Sequence, residues 1–189
     1  MTASAPKPLI TADELPAISA RHSARGQRTE LVGGDLIVMA PAGGRHGQVA
    51  HALALFIGTH VRDRNLGRVF AAETGFLLRR DPDTVRAPDV AFVADERLGA
   101  RGAPAGFLEM APDLAAEVVS PGDSAAAVRD KAAEWLAAGT RLVWVVYPET
   151  RSVVVHRPDH PARALHDAET LEGGPVFTDF SVRVGDLFT

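Results

Sequence analysis

Glu117 and Lys131 are the residues whose types and surroundings point most directly to chemistry. Glu117 stands alone in the segment 114–119, where the other residues are apolar on both alternating faces. Such a pattern is typical of a strand that is covered on both sides. A carboxylate in that position needs a cation, a basic side chain or a proton as its partner. We therefore predict that Glu117 belongs to a functional site.

The helix predicted after this strand supplies a partner for Glu117. Ser124 is placed to cap its N-terminus, and Gly139 is placed to close its C-terminus. Its apolar stripe consists of Val128, Ala132, Trp135 and Leu136. Lys131 lies at the edge of that stripe, so its ammonium group can turn inward over the sheet. The alternative is a Lys131 side chain that runs past Trp135 into solvent.

The composition is that of one globular domain over residues 1–189, with residues 1–10 as a flexible tail. Of the 189 residues, 46% are hydrophobic and 23% are charged, which is enough apolar surface for one core. The lack of cysteine excludes disulfides and thiolate metal sites. A formal net charge of −4 argues against a large nonspecific phosphate-binding surface but leaves a local basic groove open. No apolar run is long enough to span a membrane, so we expect a soluble cytoplasmic protein.

The sequence lacks several common catalytic motifs. It contains no G-x-S-x-G, H-E-x-x-H, G-x-x-x-x-G-K-[ST] or G-x-G-x-x-G. Serine-hydrolase, zincin, P-loop and dinucleotide-binding sites therefore lack their usual signals. The loosely spaced His156, His160 and His166 are expected at the surface.

Periodicity predicts an alternation of helices and strands around these residues. Thr11 and Glu14 have the spacing of a capping box for a short helix, which Pro16 shortens or kinks. Segments 29–32 and 36–39 flank a Gly-Gly pair and predict a β-hairpin. The remaining predicted elements are a helix over 46–63, strands over 68–72, 75–80, 87–93, 142–147, 152–156, 170–172 and 181–184, a surface connection over 94–112 and a loop over 157–169. This order indicates a mixed α/β sheet with helices against it.

Several stretches in this order resemble the Uma-two family of restriction-endonuclease-like proteins, which belongs to the PD-(D/E)XK nuclease superfamily. The stretches are TELVGGDLIVMAPAGGRHGQV, RAPDVAFV, AAEVVSPGDS, RDKAAEWLAAGTRLVWVVYPETRSVVVHRP and FSVRVGDLF. The resemblance covers nearly the whole chain. It implies a restriction-endonuclease-like mixed β-sheet flanked by helices, with an added N-terminal β-hairpin.

The resemblance also implies site residues. Asp89, directly after Pro88, takes the role of the PD carboxylate, and Glu117 that of the second acidic residue. Both offer hard oxygen ligands to Mg²⁺ or Mn²⁺. The usual ExK pattern would place a lysine at residue 119, where this chain has Val119. Lys131 matches the position where family members carry a lysine on the following helix. Taken without the resemblance, Asp89 also fits a turn carboxylate.

Three further residues are accessory candidates. Glu30 on the hairpin and His46 at the start of the long helix lie in stretches that match the family, and Glu73 lies between two predicted strands. Exposed strand, helix-end and loop positions are the alternatives for them. The arginines that would contact phosphates, if they are more than scattered surface charge, are Arg45, Arg79, Arg80 and Arg86.

The function that follows from the resemblance is a Mg²⁺-dependent DNA endonuclease. We also expect a homodimer, because a twofold dimer can place two such sites on the two strands of a duplex. The alternative from another class is a noncatalytic binding or scaffold protein that keeps the fold. A hydrolase of another phosphodiester, including RNA, is the third interpretation. The missing ExK lysine and the acidic net charge favour the binding protein, whereas the set Asp89, Glu117 and Lys131 favours the enzyme.

Overall fold

The computed structural model describes residues 8–189, so most of the tail predicted over 1–10 lies outside the described residues. The helices are α1 (Leu15–Ser23), α2 (Gly44–Arg64), α3 (Asp95–Leu98) and α4 (Ala125–Ala137), with a final 3₁₀-helix (Val184–Phe188). The strands are β1 (Arg28–Val32), β2 (Asp35–Met39), β3 (Gly67–Ala71), β4 (Phe76–Arg79), β5 (Thr84–Arg86), β6 (Val90–Ala94), β7 (Leu114–Val118), β8 (Leu142–Tyr147), β9 (Ser152–His156), β10 (Arg163–His166), β11 (Thr170–Glu172) and β12 (Ser181–Arg183). No helix of these residues is long and apolar enough to cross a membrane.

A six-stranded sheet forms the centre of the molecule, with the strand order β10-β9-β8-β7-β6-β3. Only β7 and β8 run parallel within it, and the other neighbours are antiparallel. A parallel pair needs a crossover connection, which α4 provides here. Both central strands are apolar on both faces and are buried. Glu117 is the acidic exception within β7, as the sequence predicts.

The two faces of this sheet are covered by different helices. On one face, Val49, Leu53 and Ile57 of α2 pack on β6, β7 and β8, together with the C-terminal segment around Phe177. On the other face, Ala132 and Trp135 of α4 pack against alternate residues of the same strands. Because side chains alternate along a strand, Glu117 points to the α4 face.

A smaller four-stranded sheet, in the order β2-β1-β5-β4, lies beside the central sheet. Its hairpin turns through Gly33 and Gly34, both with positive φ, which glycine adopts without steric cost. Helix α1 packs on it through Leu15, against Leu31 and Val85. The structure confirms the predicted mixed sheet flanked by helices, with an N-terminal β-hairpin.

Three local predictions differ from the structure. Strand β5 lies where the sequence predicted only a turn and its flank, and β10 lies inside the predicted loop 157–169. Both are short, so neither presents enough alternating residues to identify a strand. Helix α1 begins only at Leu15, and Thr11 and Glu14 form their hydrogen bonds ahead of it. Pro16 therefore falls in the first turn, where a missing N–H does not break the helix.

Candidate active site at the end of the central strands

Glu117 is held by two donors from α4. Lys131 Nζ lies 3.0 Å from Glu117 Oε2, and Trp135 Nε1 donates to Oε1 at 2.8 Å. Residues four apart on a helix lie on one face, so both side chains reach the same carboxylate. The Lys131 side chain therefore turns inward, and the alternative of a lysine directed to solvent is wrong.

Glu30 brings the hairpin into the same cluster. Its Oε1 lies 3.0 Å from Lys131 Nζ and accepts from Ala87 N at 3.0 Å, while its Oε2 accepts from Arg86 Nη1 at 2.7 Å. Only 2% of Glu30 is exposed. Both of its oxygens are thus engaged, and it bridges the small sheet to α4.

Asp89 lies at the same end of the central sheet as Glu117. Strands β6 and β7 pair Val90 with Ala116, and one more step of that antiparallel register sets Asp89 opposite Glu117. Asp89 Oδ2 accepts from Val118 N at 2.8 Å and lies 3.1 Å from His46 Nε2. A buried carboxylate with these donors is rigidly oriented.

The accessory candidates separate into two groups. His46, in the first turn of α2, is buried against Asp89, and Glu30 contacts Lys131. Glu73 is exposed in the turn between β3 and β4, with a φ of 73°. It takes no part in the hydrogen bonds and ion pairs described above for the cluster. The structure thus brings Asp89, Glu117, Lys131, Glu30 and His46 together and leaves Glu73 aside.

The pKa values of the three carboxylates in the cluster shift in different directions. Burial raises the pKa of Glu117 to about 7, with the charges of Asp89 and Glu30 adding to the effect and Lys131 opposing it. Burial acts the same way on Glu30, but the charges of Lys131 and Arg86 outweigh it and lower its pKa. For Asp89, hydrogen bonds from His46 and Val118 overcome burial and lower the pKa. The charges of Glu117 and Glu30 raise the pKa of Lys131 despite its burial.

Asp89 and Glu117 match Mg²⁺ by donor type. A carboxylate has about four acceptor sites, and the bonds to Lys131 and Trp135 use one on each oxygen of Glu117. Within residues 8–189, no three or more His, Cys, Asp or Glu side chains converge into a group that could hold a metal. Mg²⁺ is commonly bound by one or two carboxylates with water and phosphate completing the shell. A Mg²⁺ ion on Asp89 and Glu117 would therefore need water or phosphate oxygens as its other ligands.

Two arginines belong to the site. Sequence reasoning missed Arg28, and it left Arg86 among arginines that could be scattered surface charge. Arg28 Nη1 lies 3.5 Å from Asp89 Oδ1, and Arg86 joins Glu30 to Glu134. Arg28 and Glu30 are two residues apart on one strand, and that spacing is the signal that places them on one face. By contrast, Arg45 and Arg80 form exposed ion pairs with acidic side chains.

Comparison with known proteins agrees with this architecture. The family model "Uma2: Putative restriction endonuclease" matches residues 12–185. The crystal structure of a protein from Anabaena variabilis, described as a putative nuclease belonging to DUF820, is similar with a TM-score of 0.79 and 22% sequence identity. The match covers 95% of this chain and 97% of that one, and it shows a shared fold. No curated protein matches the chain.

Proposed function

The chain belongs to the Uma2 family, and from this premise we propose that it is a Mg²⁺- or Mn²⁺-dependent DNA endonuclease of the PD-(D/E)XK type. The observation that carries the proposal is the 3.0 Å contact between Lys131 Nζ and Glu117. Residue 119 is a valine, and Lys131 brings an ammonium group to the same carboxylate from the neighbouring helix. The chemical set of two carboxylates and a lysine is thereby complete.

Asp89 and Glu117 are the proposed metal ligands. A bound Mg²⁺ would polarise a phosphoryl oxygen and lower the pKa of a bound water. Asp89 is kept ionised by its donors, whereas Glu117 has a pKa of about 7 and exchanges its proton near neutrality. Glu117 therefore makes metal binding sensitive to pH, since a carboxylate ligand must be deprotonated.

Lys131 is the proposed electrostatic catalyst. Its pKa is raised by its two carboxylate partners, so it is a fixed positive charge and not a general base. A positioned charge of this kind stabilises the negative charge that develops on a phosphoryl group under attack. Glu30 and Arg86 act through Lys131, because Glu30 lies 3.0 Å from the ammonium group and Arg86 in turn holds Glu30.

His46 orients Asp89. Its Nε2 lies 3.1 Å from Asp89 Oδ2, and the side chain is 9% exposed. A hydrogen-bonded neighbour of a ligating carboxylate fixes that carboxylate in its binding geometry. We assign His46 to positioning and leave Glu73 without a catalytic role.

A direct test is incubation of the pure protein with supercoiled, linear and single-stranded DNA, and with RNA, in Mg²⁺, Mn²⁺ or EDTA. We expect metal-dependent cleavage of DNA that EDTA abolishes. Glu117→Gln should be inactive, while Asp130→Asn, an exposed acid on α4, is the matched control. If only RNA is cleaved, the substrate is RNA and not DNA. If no nucleic acid is cleaved with either metal, a noncatalytic binding protein with this fold is favoured.

We also propose that two copies act together, because a twofold dimer can present one site to each strand of a duplex. Light scattering of the free protein should give the mass of a dimer. A monomer at the concentrations used for cleavage would refute this part of the proposal.

A further inference from the structure

A cleft opens beside the carboxylate cluster, between α1 and the small sheet. Its cavity volume is about 150 Å³, enough for one flat ring with the rest of a ligand outside. Apolar side chains form much of its wall, among them Leu15, Met39, Val85 and Phe107. Ser19, Ser23 and Thr29 add hydroxyl groups to it, and Glu73 adds a carboxylate. An apolar wall with a few polar groups is the usual make-up of a small-ligand pocket.

Arg28 connects this cleft to the candidate active site. It lines the cleft, and its Nη1 also approaches Asp89 Oδ1. The distance of 3.5 Å is at the long limit of a hydrogen bond. Within the described chain, the buried Nε of Arg28 has no hydrogen-bond partner. The buried Nε cannot reach a ligand, but Nη2 makes no hydrogen bond with the described residues, and the Arg28 side chain is 24% exposed. Arg28 can therefore offer Nη2 to a ligand.

Arg86 also lines the cleft, but two carboxylates already hold its guanidinium group. Its Nη1 donates to Glu30 and its Nε to Glu134. The contrast singles out Arg28 as the cation in the cleft that an incoming anion would meet. A guanidinium group with free donors matches the geometry of a phosphate.

We propose that the cleft receives one unstacked nucleotide of the substrate strand, with its phosphate bound by Arg28. The inference rests on the proposed nuclease function and names its substrate class. A nucleotide combines a flat base, which the apolar wall with Phe107 would accept, with a phosphate one sugar away. Bases inside a duplex are stacked and paired, so one must be displaced before it enters such a cleft. The preferred substrate is therefore single-stranded DNA or DNA that is locally opened.

The orientation of the cleft supports this substrate over a free small molecule. Arg28 touches both the cleft and Asp89, so a phosphate on Arg28 lies next to the proposed metal ligands. The strand would continue from the bound nucleotide past Asp89 and Glu117. The cleft thus sets which phosphodiester bond comes to the metal.

The test measures binding separately from cleavage. A fluorescein-labelled single-stranded thymidylate oligonucleotide and a blunt duplex of equal length are titrated with the protein in Ca²⁺ and followed by anisotropy. Ser23→Trp fills the cleft from the exposed end of α1, and Ala20→Trp, exposed on the same helix but outside the cleft, is its control. Arg28→Gln removes the phosphate donor and keeps a polar side chain.

We expect the unmodified protein to bind the single strand more tightly than the duplex. Ser23→Trp and Arg28→Gln should each weaken single-strand binding by about tenfold, the effect of losing one stacked base or one charged phosphate contact. Ala20→Trp should bind as the unmodified protein does. Unchanged binding in both cleft variants, or equal weakening for duplex and single strand, would overturn the inference.

Failure of this inference is distinguishable from failure of the proposed function. If the unmodified protein cleaves DNA and the cleft variants bind the single strand as it does, the nuclease function is supported and the nucleotide-binding cleft is refuted. If both cleft variants lose single-strand binding but the unmodified protein cleaves no nucleic acid, the nucleotide-binding cleft is supported and the nuclease function is refuted. Circular dichroism of each variant separates these outcomes from misfolding.

Discussion

Replacing Lys131 by methionine would remove the charge shared by two buried carboxylates while keeping most of the side-chain volume. Lys131 Nζ lies 3.0 Å from both Glu30 and Glu117. Glu30 is 2% exposed and the Glu117 side chain 13%. Removing one partner of a buried ion pair costs about 3–5 kcal/mol, because the other charge is left uncompensated. Arg86 continues to hold Glu30, so the expected loss is near the lower end of that range and comes mainly from Glu117.

The pH dependence of this loss identifies Glu117 as its source. Its folded pKa of about 7 already exceeds the ordinary value of 4.5, so its ionisation destabilises the fold as pH rises between these values. Without Lys131 the folded pKa of Glu117 rises further, because the charge of that lysine and its hydrogen bond, which both lower this pKa, are lost. The two proteins should therefore differ least below about pH 6 and most above about pH 8.

Urea denaturation followed by fluorescence of the buried Trp135 and Trp144 measures both effects. The control is Arg129→Met, which removes an exposed positive charge from the same helix. Adding Glu117→Gln to Lys131→Met should recover much of the loss at high pH, since no charge then remains unpaired there. A loss under about 1 kcal/mol, equal at low and high pH, is the size of an exposed ion pair and would refute the reasoning.

Four further predictions concern the proposed chemistry. Lys131→Ala should lower the cleavage rate about a hundredfold to a thousandfold, with Mn²⁺ affinity by calorimetry unchanged or higher; a variant that cleaves normally would contradict the role of this lysine. Asp89→Ala and Glu117→Ala should lose both cleavage and Mn²⁺ binding, and unaltered affinity in either would remove that residue as a ligand. Mn²⁺ affinity should rise with pH and level off above about 7, the pKa of Glu117, with about a tenfold loss per pH unit below it; a flat profile would show that Glu117 is not ionised on binding. Combining Val119→Lys with Lys131→Ala should return part of the cleavage rate, because residue 119 follows Glu117 on the same face; no recovery in a folded double variant would argue against interchangeable lysine positions.

The centre of the fold follows from local sequence patterns. The apolar run 142–147 and the segment around Glu117 are typical of buried strands, and the stripe on α4 orients that helix against them. Once the stripe is fixed, Lys131 can reach Glu117. Periodicity therefore permitted this contact, and the family resemblance favoured it over a lysine directed to solvent.

The rest of the site depends on contacts between distant segments. Arg86 reaches Glu30 across 56 residues because β5 pairs with β1, and β5 is too short to be identified from its own residues. Helical periodicity places Glu134 away from the apolar stripe of α4, yet Glu134 forms an ion pair with Arg86. Arg28 is likewise a site residue only because the hairpin folds back beside Asp89. The residue pattern within a single helix or strand does not predict these contacts between distant segments.

The bridging role of Glu30 also gives the site an order of assembly. Glu30 is made early in synthesis, while Lys131, which it holds, comes last among the clustered residues. Contacts of large sequence separation carry a loop-closure cost before they stabilise the fold. A growing chain that has already released Asp89 and Glu117 from the ribosome lacks the Lys131 contacts to Glu30 and Glu117 until α4 follows. We expect chains that stop after residue 124 to cleave no DNA with Mn²⁺ in a gel assay.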